Sequence, residues 1–415
     1  MAVLNVIVLF KFVIGPAIWS AVPSDGLVTN YNASESGRNE AFWVLCAELV
    51  TAFLVVQLFA KRIYSRTTSR SYDGAHSSSN GFLAAVALMG VGAFVGYPAL
   101  ASRYNFFVLS SLHDSDLSGL PVGGALLIAT DLMFVVVPVL LISRFRRSYE
   151  KNNSIYWVLL SLLATLPAML IFRGTSRLSV LVPTVAWLVV LVHLYPKYRR
   201  QLVAIVLAIM LSVFVVISLF KQFGYSLTEE SEASPDFSIS VVAHTMNVYF
   251  SGPENIATGL DMIKANPGNL SSASLLHDLT RNTAGLNAFS DPSKTTTAQY
   301  NRLIYDTQDK TDQIVPLSIQ SQVYFGPLGT TLLLAIAIYW MMRCDRRAQL
   351  ETRLGYKYGL AYVTFFLSMG MMTSLGSIVS PLTNVFLPLV VVLKLNETFS
   401  ARRGESHKSL SRRSW

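Results

Sequence analysis

From Gly123 to Ile142 the chain reads GGALLIATDLMFVVVPVLLI, with Asp131 its only ionisable group, and it then turns basic in SRFRR, Ser143 to Arg147. A continuous apolar run of this length matches an α-helix crossing about 30 Å of hydrocarbon. The strands of a β-barrel would instead show short alternating segments. Runs of the same kind recur along the chain. The sequence predicts about ten membrane helices, at 3–22, 42–60, 82–101, 122–143, 155–172, 178–195, 202–220, 319–342, 356–374 and 378–395. Composition agrees: 52% of the 415 residues are hydrophobic and 14% charged, too little polar surface for a soluble globule of this length. The expected fold is therefore an all-α integral membrane protein. The opening MAVLNVIVLFKFVIGPAIWSAV has a long apolar stretch and a weak basic start, so it reads as the first span and not as a cleaved signal peptide.

The net charge of +9 is not the footprint of a nucleic-acid binder, because the basic residues lie in short clusters beside apolar runs. With the N-terminus in the cytoplasm, 22 of the 33 Lys and Arg residues fall in the short inward segments and tail, as the positive-inside rule requires. Both termini are then cytoplasmic. Cys46 and Cys344 fall near opposite membrane faces in this topology, which suggests neither a disulfide framework nor a cysteine metal site.

Four regions follow: spans one to seven in 1–220, a large periplasmic loop in 221–316, spans eight to ten in 317–395, and a basic cytoplasmic tail in 396–415. The loop is long enough to be functional. Its segment FSISVVAHTMNVYFSGPENIATGLDMIKANPG holds two amphipathic stretches joined at Ser251-Gly252-Pro253, a helix-breaking turn. The remainder, to Asp312, is polar with scattered aromatics, the composition of a loop over a sugar-binding cleft or of a mobile tether. Met369-Gly-Met-Met-Thr and Gly376-Ser-Ile-Val-Ser mark a tight hairpin whose small residues allow close helix packing.

Arg173 and Arg177 flank Gly174-Thr175-Ser176 at the outward tip of the fifth and sixth spans. If the helix restarts there, a spacing of four puts both guanidinium groups on one side. Two such forks above a Gly-Thr-Ser turn suit a phosphate or pyrophosphate at the membrane surface. The plainer reading is that both snorkel to lipid headgroups. His244 is a candidate general base toward a sugar hydroxyl, and a structurally bonded polar-face histidine is the alternative. His113 and His277 have weaker contexts. Tyr249, Glu254, Asp261 and Arg281 add a hydroxyl, acids and a cation to the same loop. Within the spans, Lys11, Glu48 and Asp131 are the notable ionisable groups; an ion pair such as Glu48 with Lys11 is the simplest account, and an ion or proton path the other. No Walker loop, post-strand GxGxxG, HExxH or DxD pair occurs, so neither a metal nor a cofactor is expected.

The hairpin RGTSRLSVLVPTVAWLVV, the stretch VYFSGPENIATGLDMI and the entry QSQVYFGPLGTTLLLAIAIYW together resemble the Wzy-type polymerases of O-antigen, capsular and exopolysaccharide repeat units, over residues 165–345. The resemblance implies a membrane-embedded glycosyltransferase of the bacterial inner membrane. Such an enzyme transfers a glycan from undecaprenyl pyrophosphate to the next lipid-linked repeat on the periplasmic face, without nucleotide sugar or obligatory metal. Its partners would be the undecaprenyl-pyrophosphate-linked oligosaccharide, membrane lipids and a chain-length regulator, with no nucleic acid. Carried over by position, Arg173 and Arg177 would bind the donor pyrophosphate and His244 would activate the acceptor hydroxyl. Arg281, Tyr249 and Glu254 would contact substrate. An O-antigen ligase would share the same hairpin. A flippase predicts polar residues through many spans, an acyltransferase a His-centred intramembrane or inward-facing site, and a purely structural membrane protein neither.

Overall fold

A computed structural model of the chain describes residues 1–20, 33–65, 80–97, 104–106, 123–173, 178–228, 249–266, 270–283, 285–305 and 313–411. In chain order the helices are α1 (Ala2–Leu9), a π-helical turn (Phe10–Ile14), α2 (Gly15–Ser20), α3 (Glu35–Tyr64) and α4 (Gly81–Gly96). A short strand β1 (Tyr104–Phe106) precedes α5 (Gly123–Asn152) and α6 (Ile155–Leu170), and β2 (Ile171–Arg173) precedes α7 (Leu178–Leu194) and α8 (Arg199–Thr228). Then come α9 (Pro253–Ala265), α10 (Ala273–Arg281), α11 (Thr296–Tyr305), α12 (Leu317–Phe325), α13 (Leu332–Leu350), α14 (Leu354–Ser368), α15 (Leu375–Pro381), a second π turn (Leu382–Phe386) and α16 (Leu387–Ser411).

This is an all-α membrane protein. Among the described residues, four helical segments are long and apolar enough to cross a bilayer, Glu35–Tyr64, Gly124–Asn152, Pro327–Leu350 and Leu375–Ala401. A fifth is reached if Val180–Leu194 and Pro196–Val213, bent by 118°, count as one broken span. Ala2–Ile18, Gly81–Gly96 and Ile155–Leu170 are apolar but shorter. Large apolar side chains such as Trp43, Leu58, Leu88 and Val95 stand exposed, as lipid-facing residues do.

The chain forms two compact units. The first comprises Met1–Thr67, Ala233–Arg346 and Val363–Thr383; the second comprises Thr68–Glu232, Arg347–Tyr362 and Asn384–Trp415. In the first, α9 lies on α3 over a core of Ala41, Val44, Ile256, Leu260, Met262, Tyr300 and Ile319. In the second, α4, α5, α6, α7 and α8 pack in succession and α16 packs on α4.

Several expectations change. The fifth apolar run does not stay helical to 172: α6 ends at Leu170 and Ile171–Arg173 is extended, while residues 174–177 lie outside the described residues. The backbone of Ile171–Arg173 pairs antiparallel with β1, Tyr104 opposite Arg173, so groups that a helix would bond internally are taken by a ladder. The eighth span does not run unbroken from 319 to 342: α12 stops at Phe325, and Gly326 adopts φ +74° and ψ −178°. Few residues but glycine adopt that conformation, and Pro327 then removes the next backbone donor. The segment 144–152, expected as a cytoplasmic connection, continues α5 to Asn152, and the basic tail is helical to Ser411.

Candidate functional site

The described part of the segment 249–316 packs within the first unit by polar contacts as much as by apolar ones. The turn at Ser251-Gly252-Pro253 is real: Ser251 has φ +48°, Gly252 is the N-cap of α9 and Pro253 its first residue. Pro at this position costs no helical hydrogen bond. Just before it, Phe250 stacks on Phe10 with ring centroids 5.4 Å apart. Along α9, Glu254 takes a bond from Arg38 Nη2 at 3.0 Å and two longer ones from Nε. Asp261 accepts from Ser34 N and Oγ, both at 2.6 Å, while Ser34 Oγ caps Gly37 N of α3. Lys264 reaches Glu40 at 2.7 Å. These contacts fix the entry of α3 against α9.

Deeper in the same unit, one carboxylate gathers four elements. Asp278 of α10 is 2% exposed. Its Oδ2 accepts from Tyr324 OH of α12 at 2.6 Å, Thr296 Oγ1 of α11 at 2.8 Å and Thr296 N at 3.2 Å. Gln320 extends the chain of bonds, donating from Nε2 to Thr296 Oγ1 at 2.7 Å and accepting from Leu375 N of α15 at 2.6 Å. Burial pushes the Asp278 carboxyl above its ordinary value, against the pull of Tyr324, Thr296 and the Arg281 charge. The arrangement is that of a buried anchor, with its donors already assigned.

The stretch QSQVYFGPLG, one basis of the family resemblance, thereby acquires a physical reading. Gln320 and Tyr324 feed the Asp278 network, and Ser321 Oγ donates to Gly329 O at 2.5 Å. Gly326 supplies the turn, and a Cβ at Gly329 would lie 2.3 Å from Phe325 Cβ.

Of the residues singled out in the sequence, Tyr249 and Glu254 flank the Ser-Gly-Pro turn, Glu254 already paired with Arg38. Arg281 ends α10 and donates to Thr295 Oγ1 at 3.1 Å. His277 Nδ1 accepts from Asp291 N at 3.1 Å. The backbone of Arg173 belongs to β2 in the second unit. Its side chain, Arg177, His244, His113 and the first amphipathic stretch up to Val248 lie outside the described residues. Lys11 and Glu48 meet as the sequence suggested, at 2.6 Å, and the ammonium also donates to Met371 O at 2.6 Å. Asp131 is buried in α5. Among the described residues, no three of His, Cys, Asp and Glu converge as metal ligands.

Sequence reasoning missed Asp278, Thr296, Gln320 and Tyr324. The sequence carried no signal for them: α10 buries Ser274 and Asp278 while Leu276 is 62% exposed, the reverse of an apolar stripe. No family model, no curated protein and no solved structure matches the chain.

Proposed function

We propose that the protein is a polysaccharide polymerase of the Wzy type, with about ten spans, both termini cytoplasmic and its reaction on the periplasmic face of a bacterial inner membrane. The observation that carries this reading is the sequence Arg173-Gly-Thr-Ser-Arg177 between two apolar helices, α6 and α7. A pair of arginines there has a use if a doubly charged pyrophosphate is bound, since planar guanidinium forks match its oxygens. The helices α9, α10 and α11 support the reading as a folded scaffold within the segment that the sequence assigns to substrate.

In the proposed reaction the acceptor hydroxyl oxygen attacks the anomeric carbon of the donor glycan. The bond from that carbon to the pyrophosphate oxygen breaks, its electron pair leaves with undecaprenyl pyrophosphate, and His244 takes the hydroxyl proton. Arg173 and Arg177 hold the developing negative charge, so positioning and charge stabilisation carry the rate. Arg281, Tyr249 and Glu254 orient the sugars.

The test is purified protein in lipid, given undecaprenyl-pyrophosphate-linked repeat units and no nucleotide sugar, with products resolved as a ladder on a gel. Arg173→Ala and Arg177→Ala should each lower polymer formation by about 10²-fold or more while the protein still inserts. His244→Ala should slow turnover by about 10²-fold with donor binding retained. Transfer of the whole glycan to a different lipid would indicate a ligase. Movement of the lipid-linked sugar across the bilayer without a ladder would indicate a flippase.

A further inference from the structure

Helix α10 is turned inside out. Its polar side chains Ser274 and Asp278 lie one turn apart and are 1% and 2% exposed, while Leu276 between them is 62% exposed. A helix on a water-facing surface shows the reverse, an apolar stripe inward and polar groups outward. The turn that follows continues the pattern: Leu286 is exposed, and Phe289 is 74% exposed. That turn is fastened to α10, since Ser290 Oγ donates to His277 O at 2.9 Å and Asp291 N donates to His277 Nδ1 at 3.1 Å. Leu276, Leu286 and Phe289 therefore stand exposed on one folded piece of the first unit.

The position of that piece points to what covers it. Asp278 accepts from Tyr324, three residues before Pro327, where the membrane-crossing segment Pro327–Leu350 begins. Asn282, the C-cap of α10, lies against Gly376, the second residue of the crossing segment Leu375–Ala401; a Cβ there would be 2.6 Å from Asn282 Nδ2. Gln320 of α12 ties the same two entries together by accepting from Leu375 N. Helix α10 thus sits where two crossing segments begin, and Phe325, Leu328 and Leu332, at the first of these entries, are exposed apolar residues as well. Asp291, at the edge of the turn, is paired with Lys294 at 3.3 Å, so its carboxylate brings no net charge against phosphate headgroups.

We infer that α10 and the turn through Phe289 form a lipid-docking surface, with Leu276, Leu286 and Phe289 set among the acyl chains just below the headgroups. Segments seated in this way carry apolar side chains about 5–10 Å into the boundary between headgroups and acyl chains. There the inverted helix meets a suitable solvent on each side: its polar face satisfies the buried network of Tyr324 and Thr296, and its leucine face meets lipid. A segment that reads as polar loop is thereby held from within by Asp278 and from outside by the bilayer. The surface belongs to the membrane boundary, so it stands whether or not the protein is a polymerase.

The test places a nitroxide label at position 289, as Phe289→Cys in the full chain carrying Cys46→Ala and Cys344→Ala, in phosphatidylcholine nanodiscs. Arg302→Cys, at an exposed position of α11, gives the water-exposed reference. Collisions of each label with oxygen, which concentrates among acyl chains, are compared with collisions with a water-soluble nickel chelate. The label at 289 should meet oxygen in preference to nickel and report a depth of about 5–10 Å below the phosphates, and the label at 302 should show the opposite preference. Leu286→Cys, with the same expected result, serves in place of Phe289→Cys if that variant does not fold. Access to nickel at 289 equal to that at 302 puts the patch in water and overturns the surface. Low access to both reagents puts the patch against protein and overturns it as well, with dipolar broadening between labels then identifying a second copy of the chain as the cover.

Discussion

Asp278 shows how a single buried carboxylate orders a region that reads as polar loop. Removing one of its donors leaves a buried acceptor less satisfied, so Tyr324→Phe should cost about 1–3 kcal/mol in equilibrium unfolding. Because burial raises the folded-state value above the ordinary 3.8, the folded protein holds the Asp278 proton more tightly than the unfolded chain does. Its contribution to stability is therefore greatest below 3.8 and is lost as pH rises through the raised value. Asp278→Asn, which keeps an acceptor for Tyr324 and Thr296, should flatten that part of a melting-temperature profile. Lys11 follows a different rule: as one half of a buried ion pair, Lys11→Met should cost about 3–5 kcal/mol, and Lys11→Met with Glu48→Leu should recover most of it. That pair was legible because charges inside apolar runs demand each other. Asp278 was not, because helix α10 buries Ser274 and Asp278 and leaves Leu276 outside, the reverse of what an apolar stripe suggests.

Among the elements, those bounded by backbone chemistry were the readable ones. Ser251-Gly252-Pro253 marked the start of α9, and the small residues from Met369 to Gly376 marked the turn between α14 and α15. The break between α12 and α13 was equally spelled out, as Gly326-Pro327, but hydropathy ran through it and the two helices were merged. Gly326→Ala has open space for its methyl group, so its effect should be backbone strain alone, about 1–3 kcal/mol by chemical denaturation. The extended stretch Ile171–Arg173 was hidden for a tertiary reason: its partner, Tyr104–Phe106, is remote in sequence. Docking of α9 on α3 rests on contacts between segments more than 200 residues apart, which no local pattern reveals. Asp261→Ala strips two acceptors from Ser34 and should cost about 2 kcal/mol in the same measurement, with amide exchange rising over residues 34–37.

For the whole molecule, composition alone gave the class, an α-helical membrane protein; hydropathy reads about ten crossings, and four to five helical spans long and apolar enough to cross stand among the described residues. The counts differ because α4, α6 and α14 are short, α1 and α2 are joined by a π turn, and α7 with the start of α8 counts at most as one bent span. The two units are also interleaved along the chain, which passes from one to the other at 67/68, 232/233, 346/347, 362/363 and 383/384. During synthesis the ribosome therefore delivers no finished unit first. The earlier unit waits for residues 363–383 and the later one for 384–415, so both close only as the last helices leave the exit tunnel, and a nascent chain arrested before Val363 contains neither.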